Sequence, residues 1–133
     1  MLRIALAAAS VVNVAAGVAI FISLVLHRGP GIPTVAYLAA LTVVIQGAYT
    51  LLCLAAGGSR RAAPLWSLLI AGETAAVIVG AIAASTGVLY NLNPRNGDHE
   101  FGPMMLGAIM FVQAALALAF AARTEELEAT RPA

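Results

Sequence analysis

Charge is what this sequence has least of. Only 10% of its 133 residues are charged, against about 25% in an ordinary soluble domain. Lysine is missing altogether, and the seven basic residues are all arginine. Histidine occurs twice and cysteine once. Each shortage excludes something. So few charges cannot cover a water-facing surface, which excludes a soluble enzyme. No basic stripe is present to neutralise phosphates, which excludes a nucleic-acid binder. The lone Cys53 excludes an intramolecular disulfide, a C-x-x-C redox pair and a thiolate metal cluster.

What is present is apolar. Hydrophobic residues make up 62% of the chain and the mean hydropathy is +0.95. This is too apolar for a disordered chain and points to an integral membrane protein. Four apolar runs, at 4–26, 34–56, 65–89 and 104–122, each come near the ~20 residues a helix needs to cross a bilayer. Helix is the expected state, because backbone groups in lipid must pair within their own segment. The first run is too long for a signal-peptide core of about 7–15 residues and ends in His27-Arg28-Gly29-Pro30, so it is read as a retained helix.

The connections are short and punctuated by glycine and proline (HRGPGIP, GGSRRAAP and YNLNPRNGDHEFGP). Short links force consecutive helices to run antiparallel. The expected fold is therefore all-α, four transmembrane helices in an antiparallel up-down bundle over 1–122, with a polar acidic tail at 123–133. Arg3, Arg60, Arg61, Arg123 and Arg131 fall on one side, Arg28 and Arg95 on the other. The positive-inside rule puts both termini, with the tail, and the middle loop in the cytoplasm. The arginine- and alanine-rich, lysine-free usage fits a bacterial chain, so the expected location is the cytoplasmic membrane of a bacterium.

Within these runs a few polar residues stand out. Asn13, Gln46, Glu73 and Gln113 each fall about 12–15 Å from the cytoplasmic edge at 1.5 Å per residue. One strongly polar side chain per helix at one level predicts a polar layer. Glu73 matters most, since a charged group at that depth costs on the order of 2.5–3.5 kcal/mol on insertion scales. Such a residue must face the bundle, a partner or a water-filled cavity. The amides of the layer can serve either protonation state of the carboxyl. They can equally act as glue between helices. On the second helix Thr42, Gln46, Tyr49, Thr50 and Cys53 share one face. They either line a small cavity or spend their hydroxyls on their own backbone.

Small residues form a second pattern. Gly72, Ala76, Gly80 and Ala84 recur every fourth position on the third helix, and Ala5, Ala9, Asn13 and Gly17 do so on the first. Such stripes let helix backbones approach closely. The simplest packing pairs the first helix with the third and sets Asn13 beside Glu73. In the longest link, Asp98, His99 and Glu100 are candidate contacts. Three consecutive residues make a poor metal site, and turn formation and helix capping account for them. No metal or cofactor is implied.

No catalytic constellation appears. The leading expectation is an accessory or assembly subunit of a larger membrane complex, or a homo-oligomer, with membrane lipids and another membrane subunit or itself as partners. A proton-coupled small-solute transporter or channel using Glu73 is the alternative. A lipid- or quinone-binding protein is the third reading.

Overall fold

A computed structural model of the chain describes residues 1–27, 34–56, 63–97 and 101–131. It is all-helical: α1 (Leu2–Leu26), α2 (Thr34–Ala55), α3 (Ala63–Leu92) and α4 (Gly102–Ala129). All four are long and apolar enough to cross a membrane, with mean hydropathies of 2.3, 1.9, 1.9 and 2.1 over their most apolar windows. Pro64 lies in the first turn of α3 and Pro103 in that of α4, where a missing N–H costs nothing. α3 and α4 outrun the apolar segments read from the sequence. α4 continues from 122 to Ala129, because Arg123, Glu125, Glu126 and Glu128 are good helix formers whatever their polarity.

Burial follows a narrow stripe on each helix. On α1 it runs through Leu6, Ser10, Asn13 and Gly17, and on α4 through Gly107, Met110, Gln113, Ala114, Ala117 and Ala121. The content of these stripes is inverted relative to a water-soluble bundle. Ser10, Asn13, Thr50, Glu73 and Gln113 are buried, while Ile4, Ile45, Leu52, Leu68 and Ile82 are exposed. Large apolar side chains outside and small or polar ones inside suit a bundle whose surroundings are hydrocarbon.

The glycines show why. A Cβ on Gly17 would lie 2.9 Å from the Ala40 carbonyl oxygen, and one on Gly47 would lie 2.5 Å from that of Ser10. These two glycines seat α1 against α2. A Cβ on Gly80 would lie 2.8 Å from the Gly107 carbonyl oxygen, and one on Gly107 would lie 2.5 Å from the Ala84 nitrogen. These two seat α3 against α4. Helix pairs α1–α2 and α3–α4 are therefore tight, α1 also rests on α4, and α2 touches α3 only sparsely. The expected pairing of α1 with α3 gives way to this arrangement, because the closest small-residue contacts of α3 are made with α4. Gly72 packs on nothing, with open space where a Cβ would be.

Other contacts tie the helix ends. Arg3 donates to the Leu54 carbonyl oxygen at 3.0 Å, serving one of the carbonyls that the end of α2 leaves without a partner. Tyr37 donates to the Leu24 carbonyl oxygen at 3.0 Å and meets Phe21 edge to face. Trp66 stacks on Phe120 with ring centroids 5.9 Å apart. Leu6, Leu54 and Ala117 form a small apolar cluster where α1, α2 and α4 meet.

Candidate functional site

The polar residues of all four helices converge on Glu73, whose side chain is 2% exposed. Gln46 Nε2 donates to Glu73 Oε2 at 2.6 Å. Thr50 Oγ1 is 2.8 Å from Glu73 Oε1 and Gln113 Nε2 donates to that oxygen at 3.3 Å. Gln46 Nε2 also donates to the Met110 carbonyl oxygen at 3.1 Å, and Gln46 Oε1 accepts from Asn13 Nδ2 at 3.2 Å. Gln113 Nε2 further donates to Thr50 Oγ1 at 3.0 Å. The network thus runs from α1 through α2 to α3 and α4 without a break.

Asn13, Gln46, Glu73 and Gln113 are the four residues the sequence places at one level, and the structure joins them. Asn13 does not touch Glu73 directly, as the α1–α3 pairing required, but reaches it through Gln46. Tyr49 stands apart from the network. Its hydroxyl donates to the Leu65 carbonyl oxygen at 2.9 Å, about two helical turns before Glu73 on α3. Thr50 is the partner that sequence reasoning underrated. Its hydroxyl lies 2.9 Å from the Gln46 carbonyl oxygen of its own helix, as a membrane threonine's often does, and also within reach of Glu73. The signal was its place four residues after Gln46 on the same face. The Met110 carbonyl had no signal, because every residue carries one.

The electrostatics are unusual in one respect. Among the described residues, the side chains that hydrogen-bond to the carboxyl are all neutral. The nearest basic residues in sequence to any member of the layer are Arg3 and Arg123, each ten positions away from Asn13 and Gln113 respectively, or about 15 Å along a helix. A second feature is Gln113 Oε1, which is buried with no hydrogen-bond partner. A buried acceptor left open costs about 1–3 kcal/mol. Turning that amide over would bring the oxygen to face Glu73 Oε1, where it could accept a proton-bearing carboxyl's O–H. As the structure stands, donors meet both carboxyl oxygens of Glu73.

Beside the network lies a groove of about 280 Å³ between α2 and α3. Its walls include Ile45, Leu68, Val79 and Met110, its polar margin Thr42, Gln46, Tyr49 and Glu73. It exists because α2 and α3 barely meet and because Gly72, on its wall, has no side chain. Ala76 also lines it, whereas Gly80 and Ala84 lie at the α3–α4 contact. Among the described residues no three His, Cys, Asp or Glu side chains gather to hold a metal ion. Asp98, His99 and Glu100 lie outside the described residues, as do Arg28, Arg60 and Arg61. Comparison with protein-family models, curated proteins and solved structures finds no match to this chain.

Proposed function

We propose that this chain is a small multi-pass protein of the bacterial cytoplasmic membrane that takes up and releases a proton at Glu73, in the service of moving a small solute. Its four helices run up and down in alternation, with both termini in the cytoplasm. Contacts of Leu24 with Tyr37, Asn13 with Gln46 and Arg3 with Leu54 support the alternation, since residue numbers fall on α1 as they rise on α2. The observation that carries the functional reading is a buried carboxyl held only by neutral donors. In hydrocarbon such a group must find a positive charge, and with no side-chain cation beside it the available one is a proton or an incoming solute.

The reading as an accessory subunit or homo-oligomer rests on a short chain without a catalytic constellation and on small-residue faces suited to close helix contact. Gly17, Gly47, Gly80 and Gly107 are engaged inside the chain, which moves the weight to Glu73. One observation still favours self-association. The groove beside Glu73 is flanked by exposed Ile45, Leu68 and Val79, so a second copy or subunit would close it.

The test is proton flux. Purified protein in liposomes enclosing a pH-sensitive dye should dissipate an imposed pH gradient faster than empty liposomes. The Glu73→Gln variant should insert and fold but lose the flux. Flux of wild-type size in that variant would remove Glu73 from the mechanism.

A further inference from the structure

We infer that the α2–α3 groove binds a small organic cation, with an apolar body and one ammonium group, in place of the proton on Glu73. The inference rests on Glu73 as the proton-holding group and assigns the ligand class.

Three features of the groove fix the chemistry. Its volume of about 280 Å³ falls just below the roughly 300 Å³ at which drug-sized ligand pockets begin, so the ligand must be small. Its walls are Ile45, Leu68, Leu69, Val79 and Met110, so the body of the ligand must be apolar. Its polar margin holds a carboxyl and an aromatic ring, Glu73 and Tyr49. The Tyr49 ring is pinned across the groove by its bond to the Leu65 carbonyl oxygen at 2.9 Å. A carboxylate attracts a cation by charge, and an aromatic face attracts a quaternary ammonium through its quadrupole. A neutral or anionic ligand would use neither.

Access to the carboxyl needs one rearrangement, and Gln46 provides it. Its Nε2 serves both Glu73 Oε2 and the Met110 carbonyl oxygen. If the amide keeps Met110 and Asn13 and gives up Glu73, Oε2 is released towards the groove. The cation then replaces the donor. Of the titratable groups on the elements around Glu73, Tyr49 and Cys53 on α2 are the nearest to its level; Arg3 on α1, Tyr37 on α2, Tyr90 on α3 and Arg123, Glu125, Glu126 and Glu128 on α4 lie toward the helix ends. α1 and α4 bring the amides of Asn13 and Gln113 to the network. The competition between proton and cation therefore centres on Glu73. Cation binding should tighten as pH rises, because the ionised carboxylate is the form that binds.

The probe is benzyltrimethylammonium, whose charge is the same at every pH, titrated calorimetrically into the full chain in lipid nanodiscs with empty nanodiscs as blank. Neopentylbenzene, its uncharged carbon isostere, is the control. Tighter binding at pH 8 than at pH 5.5, with no heat from the isostere, is expected by linkage. Glu73→Gln should weaken binding at least about tenfold, and Gly72→Leu should abolish it by filling the groove. Tyr49→Leu should weaken it about threefold, and Tyr49→Phe should weaken it less, since the ring is kept and only its bond to Leu65 is lost. Equal binding of the isostere, or unchanged binding in Gly72→Leu, would overturn the inference. Infrared titration of the carboxyl C=O band that Glu73→Gln removes separates the two ideas. A band that titrates without cation binding overturns the ligand alone, and a band that never titrates overturns the proton reading and the competition with it.

Discussion

Gln46 holds Glu73 and the backbone of α4 with a single nitrogen: its Nε2 lies 2.6 Å from Glu73 Oε2 and 3.1 Å from the Met110 carbonyl oxygen. Its own oxygen accepts from Asn13. One amide on α2 therefore bonds to each of the other three helices, and both hydrogens and the oxygen are used. Gln46→Leu should consequently cost more stability than Asn13→Leu, by about 1–3 kcal/mol for each polar group left open. The double variant should cost less than the sum of the two, since the bond they share is lost only once. Reversible unfolding in mixed detergent micelles measures all three. Additive losses would mean the Asn13–Gln46 bond carries no energy.

Replacing the carboxyl separates structure from titration. Glu73→Gln keeps an acceptor for Thr50 and Gln113 and should fold like the wild type. Glu73→Leu leaves the Gln46 and Gln113 amides with donors facing hydrocarbon, and should lose about 2 kcal/mol or more by the same measure. A fully stable Glu73→Leu variant would show that the four polar residues meet by accident.

Gly72 and Gly80 give a matched pair on one helix. Both gain about 1 kcal/mol of helix propensity on change to alanine. At Gly80 the new methyl would lie 2.8 Å from the Gly107 carbonyl oxygen, and at Gly72 it meets nothing. Gly72→Ala should be neutral or stabilising, and Gly80→Ala should lose about 1–3 kcal/mol from overpacking. The same ranking should hold for Gly80→Leu against Leu68→Ala, as Leu68 is 64% exposed. Equal melting of the two alanine variants would detach the close α3–α4 contact from stability.

Orientation is open to direct labelling. In a Cys53→Ala background, Ser59→Cys and Asn96→Cys should react with a membrane-impermeant thiol reagent from opposite faces, Ser59→Cys from the cytoplasmic one. The arginine distribution sets this expectation. Labelling of both from one side would refute the alternation of the helices.

The helices and the polar layer were legible in the sequence for one reason. Hydropathy marks where a helix can lie in lipid, and a rise of 1.5 Å per residue turns position into depth, so Asn13, Gln46, Glu73 and Gln113 could be set at one level from counting alone. Helix neighbours were not legible. The small-residue stripe on α3 is a property of α3, and nothing in Gly80 names Gly107 as the surface it meets. The same limit hid the second role of Thr50, whose hydroxyl had a ready partner in its own backbone. It also hid the groove, which comes from the sparse contact between α2 and α3.

That sparse contact divides the four helices into two tight pairs. Each is zipped along its length by glycines, Gly17 and Gly47 in one, Gly80, Gly87 and Gly107 in the other, and α1 lying on α4 supplies most of the apolar seam between them. A chain of this kind has a natural order of construction. The α1–α2 pair could complete its close-packed interface before α3 is synthesised, and α3–α4 could close on itself in the same way. What then remains is to dock two finished pieces, and only at that last step does Glu73 meet Gln46. The carboxyl is thus the latch of assembly as well as its most costly group: until the halves join, it stands without the amide that shields its Oε2.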